Sequence, residues 1–371
     1  MRVAIVNLTR GDLSYGYQKY LKELVPLLHQ HPRITELVVF VPPKFTSLAG
    51  GIQCHPCLDT AAGRRNLKEA LLKFSPDVIF CPNLRGISLA RIPLVFMIRN
   101  MESLAQHFWG NYWWEELKNF ARYYSARLVC RKAARVVAVS KYVKDFLVET
   151  WHVSPGKIGV VYHGVNEPAN PATLPVPERI PPQWTGEFLF TAGSIRPARG
   201  LEDVIQALPL LAARGVRLPL VIAGAAIKST LPYYRKMQQL SRQLGVDDLI
   251  VWAGQLTPAE MSWCYFHNRV VIMTSRVEAC PNVALEAMIH GSSCVIADNP
   301  PLPEFFQEAC TFYMPRRPGS LAEAVLEVLN GSPQEQEQRQ SLALARGREF
   351  TWQRTAELTV LELEKAAGSR S

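Results

Sequence analysis

The sequence predicts an α/β fold of two Rossmann-like, doubly wound parallel-sheet domains. Three observations carry that expectation. The chain has 371 residues, more than one ordinary core accommodates. Short apolar, β-branched runs recur along it with helical patterns between them, as expected of strands buried on both faces and joined by right-handed crossovers. A stretch carrying six prolines, residues 168–184, divides those runs into two sets.

The first set is "RVAIVNL", "ELVVFVPP", "PDVIFCPN", "PLVFMIRN", "ARVVAVS" and "KIGVVYHG", within a first domain at 1–167. The second is "EFLFTAGS", "LPLVIAGA", "DLIVWAGQ", "RVVIMTS", "SCVIAD" and "TFYMP", within a second domain at 185–349. Residues 350–371 read as one closing helix. Ligands of such folds bind outside the carboxyl ends of the strands, which predicts a cleft between the two domains.

Composition narrows the function classes. Hydrophobic residues make up 48% of the chain and mean hydropathy is close to zero, as in soluble globular proteins. No apolar run reaches the ~18 residues of a membrane span. "MRVAIVNLTRG" reads as a first strand and not as a signal peptide. Eight dispersed cysteines predict reduced thiols in a cytoplasmic protein. "CHPC" at 54–57 has no second pair at zinc spacing and is expected to be a surface loop. Residues 1–167 hold 22 Lys and Arg against 12 Asp and Glu, whereas the remainder holds 19 against 20. A field concentrated in one half attracts anionic partners, or serves solubility.

The stretch "EACPNVALEAM", Glu278 to Met288, follows the strand "VVIMTS". Pro281 suits the first turn of a helix that Gly291 ends as a cap. The amides of Cys280, Pro281's neighbours Asn282 and Val283, and the positive helix end then form an anion site suited to phosphate. Asn282 and Glu286 are i,i+4 neighbours. Two carboxylates on either side of a phosphate site are placed to grip the vicinal diols of a nucleotide sugar.

Five motifs in order resemble the retaining glycosyltransferases of family four, which have the GT-B fold. They are the glutamate–seven residues–glutamate motif itself, "TAGSIRPARGLEDVIQAL" at 191–208, "VVYHGVN" at 160–166, "VVAVSKYVKDFL" at 136–147 and "FTWQRTAELTVLELEK" at 350–365. The resemblance covers nearly the whole chain. It implies that the last helix crosses back to the first domain, which receives the acceptor, while the second domain holds the donor. It implies that Glu286 binds the ribose and Glu278 the sugar hydroxyls, with Arg199 and Arg196 neutralising the diphosphate. Gly193, Ser194, Gly224, Gly254 and Gly16 fall in the corresponding donor loops. Arg99 and Asn100 stand where many members have His-Asp, and Gly193-Ser194 where many have Gly-Arg.

The activity this implies is retaining transfer of a hexosyl group from a nucleotide-diphosphate sugar, without a bound cofactor, to a glycan, lipid or small-molecule acceptor. The alternative is a non-catalytic or regulatory protein of the same fold. A nicotinamide dehydrogenase is disfavoured, because neither first strand precedes G-x-G-x-x-G. No Asp-x-Asp occurs, so cations and the helix end are expected to do a metal's work at the diphosphate. Three further features keep two or more readings. His163 either bonds backbone in its glycine turn or takes part in the site, and Lys228 is either a solvated loop residue or a donor contact. Residues 107–137, rich in Trp, Tyr and basic side chains, are core, a membrane-contacting face or an acceptor site. Nucleic acid is not expected, since no recognition motif accompanies them. The expected locations are the cytoplasm and the inner face of its membrane.

Overall fold

The computed structural model describes residues 1–9, 13–49, 51–87, 89, 92–104 and 113–369. They form two compact units. One comprises the described residues up to Gly164 together with those from Phe350 onward, and the other is Val165–Glu349.

The first unit contains seven strands: β1 (Arg2–Val6), β2 (Glu36–Val41), β3 (Cys54–Pro56), β4 (Val78–Cys81), β5 (Leu94–Ile98), β6 (Arg135–Ala138) and β7 (Ile158–Val160). They lie in the order β3-β2-β1-β4-β5-β6-β7, with every pairing parallel. The helices of this unit are α1 (Tyr15–Gln30), α2 (Ala61–Phe74), α3 (Trp113–Lys132) and α4 (Lys141–Glu149). The central strands are buried along their length, which is why they read as unbroken apolar runs. β3 was not predicted. It is three residues long and mostly exposed, so it carries no hydrophobic pattern. The expected surface loop at "CHPC" is therefore an edge strand followed by a buried Cys57, whose thiol donates toward the Asn7 carbonyl.

The second unit has six parallel strands: β8 (Leu189–Ala192), β9 (Leu220–Ala223), β10 (Ile250–Gly254), β11 (Val270–Met273), β12 (Cys294–Ala297) and β13 (Thr311–Tyr313). Their order is β10-β9-β8-β11-β12-β13. Its helices are α5 (Leu201–Ala212), α6 (Leu231–Gln243), α7 (Pro258–His267), α8 (Asn282–Ile289), α9 (Leu302–Phe306), α10 (Pro318–Asn330) and α11 (Pro333–Gly347). Winding runs outward in both directions from the β8/β11 pair, so the strand order reverses there. Within the proline-rich stretch, Ile180 is buried and Arg179 donates to the Trp252 carbonyl at 3.3 Å.

The closing helix α12 (Trp352–Gly368) packs within the first unit. Its buried Glu362 accepts from Arg135 Nε at 2.7 Å and Lys365 Nζ at 2.7 Å. Thr355 donates to the Tyr162 carbonyl at 2.9 Å. Two glycines give the helix room: a β-carbon on Gly164 would lie 2.3 Å from the Trp352 nitrogen, and one on Gly159 2.4 Å from the Glu362 carboxyl carbon.

Candidate active site

The carboxyl ends of β8 and β11, on either side of the order reversal, carry the predicted residues Arg199 and Glu278. After β8 the chain passes through Gly193, the exposed Ser194 and Arg196, then takes a short 3₁₀ turn, Pro197–Arg199, into α5. Gly200 closes that turn at φ +63°, and a β-carbon there would lie 2.5 Å from the Thr274 carbonyl oxygen. Only glycine gives both the left-handed backbone and the close approach.

That approach lets two loops bond directly. The Thr274 hydroxyl donates to the Arg199 carbonyl at 2.7 Å, and the Arg276 amide donates to the Ala198 carbonyl at 2.7 Å. The Arg199 guanidinium pairs with the Glu278 carboxylate and donates to Ser275 Oγ at 3.1 Å. Both charged side chains are mostly covered.

Arg276 anchors the loop that presents Glu278. Its guanidinium grips the buried Asp203 of α5 through two bonds, 2.7 and 2.5 Å. Asp203 also accepts from the Tyr313 hydroxyl and the Arg316 amide, each at 2.9 Å. Four donors on one carboxylate offset the cost of burying its charge.

Downstream, Pro281 occupies the N-cap of α8, one residue before the predicted first-turn position. The amides of Ala284 and Leu285 are bonded back to the Pro281 carbonyl. Gly291 ends the helix at φ +68°, with its amide bonded to the Met288 carbonyl and that of Ser292 to the Ala287 carbonyl. Glu286, half-buried on this helix, accepts from the Tyr265 hydroxyl of α7 at 2.9 Å. Burial, reinforced by the neighbouring Glu286 charge, pushes the Tyr265 phenol well above its ordinary range, so it remains a donor. His290 bonds the Glu286 carbonyl at 2.7 Å and Ser262 Oγ at 3.0 Å.

Three glycines meet at the strand ends. Gly193, Gly224 and Gly254 all have positive φ, and the Gly224 amide donates to the Gly254 carbonyl at 2.7 Å. A β-carbon on Gly224 would sit 1.9 Å from the Gly193 carbonyl oxygen. The glycine at 224 is fixed by this backbone crowding.

Two family models match the sequence: Glycosyltransferase Family 4 over residues 27–167, and Glycosyl transferases group 1 over residues 178–343. The chain belongs to these glycosyltransferases. A glycosyltransferase of Methanocaldococcus jannaschii is 27% identical over 207 residues, 54% of this chain and 52% of that protein. The lipopolysaccharide 1,2-N-acetylglucosaminetransferase of Salmonella typhimurium is 26% identical over 177 residues, 46% of each. The matched segments thus span about half the length of these curated relatives. Among solved structures, Anabaena HepE in complex with UDP and glucose superposes with a TM-score of 0.77 at 17% identity, covering 97% of this chain and 99% of that one. The shared fold is GT-B, two Rossmann-like domains of parallel sheet.

In this glycosyltransferase the second unit holds all of these predicted residues, Arg196 and Arg199 between β8 and α5, and Glu278, the Cys280–Val283 segment and Glu286 between β11 and the end of α8, and it joins the two loops through the Arg199–Glu278 pair. Lys228 is exposed in the loop after β9. Gly16, Arg99 and Asn100 belong to the first unit. Gly16 lies in the first turn of α1. Asn100 accepts from the Glu102 amide at 2.9 Å and so shapes its own turn. The Arg99 guanidinium lies 4.1 Å from the Tyr17 ring centroid and 5.6 Å from that of Tyr20. His163 is buried against Tyr20 and Trp352, with ring centroids 4.8 and 6.3 Å away.

Sequence reasoning missed Asp203, Arg276 as an anchor, and Tyr265. Asp203 and Tyr265 sit inside helical patterns that look ordinary alone. The one available signal for the first was an acidic residue in an apolar helix, "LEDVIQAL". For the second it was a tyrosine in a helix whose neighbours are buried.

Proposed function

We propose that the chain is a retaining hexosyltransferase that uses a nucleotide-diphosphate sugar. The observation that carries this reading is the Arg199–Glu278 pair at the order reversal of the second sheet, with α8 beginning two residues beyond Cys280 and carrying Glu286. In this reading the Glu286 carboxylate, oriented by Tyr265, accepts from the ribose hydroxyls, and Glu278 accepts from the hexose. Arg199 and Arg196, with the Cys280–Val283 segment at the positive end of α8, face the diphosphate. Gly193, Ser194, Gly224 and Gly254 let backbone approach the donor closely. Arg99, held over Tyr17, offers a cation to an acidic acceptor, with Asn100 beside it.

The chemistry follows from charge. As the glycosidic bond breaks, the anomeric carbon gains oxocarbenium character and negative charge grows on the distal phosphate. Fixed cations and a helix end stabilise that charge with little reorganisation. Arg199 engages Glu278 and Ser275 through Nη1 alone, so its remaining guanidinium N–H groups can donate to phosphate while the second Glu278 oxygen accepts from a sugar hydroxyl. Retention follows from attack on the face the leaving group vacates, with phosphate taking the acceptor's proton. HepE, with UDP and glucose in its crystal structure, makes UDP-glucose the first donor to test.

The test is a thermal-shift panel of nucleotides and nucleotide sugars, followed by transfer assays with the donor that stabilises most. An α-linked product from an α-linked donor supports the proposal. A β-linked product would remove retention, and donor binding without transfer to any acceptor would favour the non-catalytic alternative.

A further inference from the structure

The two long faces of α3 differ in what they touch. Asn119, Tyr123, Ala126 and Cys130 are buried, and the Tyr123 ring meets Trp151 edge-on at 5.2 Å. The other face carries Leu117, Phe120, Tyr124 and Leu128, exposed by 59, 59, 45 and 57%. Steps of three and four residues place these four on one stripe along the helix. Phe120 and Tyr124 touch each other, with ring centroids 4.6 Å apart, and the Tyr124 ring also meets that of Tyr123 edge-on at 5.2 Å. A run of large apolar side chains left in water over nearly three helical turns marks an interaction surface.

The borders of that stripe are cationic. By helical geometry, Arg127 and Arg131 flank one side, together with the carboxylate Glu116, and Lys118 and Lys132 flank the other. Arg131 and Lys132 are exposed, and Lys157 joins them by donating to the Arg131 carbonyl at 2.8 Å. Long basic side chains can lay their methylenes along an apolar stripe and extend their charges beside it. The surrounding domain carries the chain's entire formal positive excess.

We infer that the outer face of α3 is a docking surface for an anionic lipid bilayer, with Leu117, Phe120, Tyr124 and Leu128 seated at the headgroup–acyl boundary and the flanking cations on the lipid phosphates. Charge selects this occupant. A second copy of the same face would bring cationic borders against cationic borders, whereas an anionic leaflet complements both borders at once. Among the described residues no helix is long and apolar enough to cross a membrane, and the contact formed this way is peripheral. The inference does not depend on the donor chemistry proposed for the second unit.

The test is co-sedimentation of the full chain with phosphatidylcholine vesicles and with mixed phosphatidylcholine–phosphatidylglycerol vesicles, at low and moderate salt. The wild type is expected to pellet with the mixed vesicles, less so as salt rises. Phe120→Ser/Leu128→Ser and Arg131→Glu/Lys132→Glu are each expected to weaken partitioning by about tenfold or more while leaving the thermal melt and nucleotide binding unchanged. Single Leu128→Ser and Lys132→Glu variants, with smaller losses, serve if a double variant misfolds. Absence of wild-type pelleting with either vesicle overturns the inference. So does pelleting that ignores salt and every variant, or a concentration-dependent dimer that Phe120→Ser/Leu128→Ser dissolves.

Discussion

Arg199 and Glu278, 79 residues apart in sequence, form a mostly covered ion pair that joins the loop after β8 to the loop after β11. The pair links stability to function, because both partners are assigned to the donor. Arg199→Ala leaves a covered carboxylate without its cation and is expected to cost about 1–3 kcal/mol of stability. A double-mutant cycle with Glu278→Ala should show a coupling of roughly 0.5–3 kcal/mol by urea denaturation. For activity, loss of the Arg199 cation is expected to lower kcat by about 10²–10³. Additive stability losses, or full turnover in Arg199→Ala, would refute the two parts separately.

Glu286→Ala is expected to keep the fold and to weaken donor binding by about 1.5–3 kcal/mol, the worth of a charge-assisted bond to a diol. Tyr265→Phe removes only the hydroxyl that orients this carboxylate, so the loss should be smaller, about 0.5–1.5 kcal/mol. Calorimetry with the nucleotide alone separates the two. Equal affinity in wild type and Glu286→Ala would end the ribose assignment.

Asp203→Ala strands Arg276 and removes the acceptor for Tyr313 and Arg316. A loss of about 3–5 kcal/mol is expected for breaking such a buried charge pair. Asp203→Asn keeps the shape and part of the hydrogen bonding, so its melt should fall between wild type and alanine. Because Arg276 holds the loop that presents Glu278, donor affinity should follow the same order. A change in melting temperature without any change in affinity would confine Asp203 to a structural role.

Gly224→Ala forces a methyl against the Gly193 carbonyl oxygen and demands positive φ from alanine. Left-handed strain alone is worth about 1–3 kcal/mol, and the overlap adds to it. Expression as a destabilised protein with weakened nucleotide binding is expected. Gly245→Ala, also at positive φ but with open space around its β-carbon, should be milder in both respects. Identical thermal melts for the two variants would count against the crowding argument.

Activity is expected to survive EDTA, since the proposed diphosphate site relies on arginines and a helix end. Transfer assays with chelator and with added magnesium or manganese give the answer. A rate that collapses with EDTA and returns with metal would show that the arginines do not suffice.

The sequence alone determined the two sheets, because parallel strands buried on both faces must be continuously apolar and their spacing must admit a helix. Among the described residues, twelve of the thirteen strands were legible for that reason. The thirteenth, β3, is a short edge strand, and an edge exposed to water leaves no hydrophobic signature. The order of motifs likewise pointed to the glycosyltransferases, and positive-φ glycines such as Gly291 were legible as punctuation. Tertiary structure alone decided which charges meet. Nothing in "RPARG" or "RVEAC" discloses that Arg199 pairs with Glu278, while Arg276 is drawn to Asp203. Ion pairing depends on distances set by strand order, not by sequence separation. The two faces of α3 were unresolved in sequence for a related reason. Both are apolar, and only packing shows that Tyr123 enters the core while Phe120 and Leu128 remain in water.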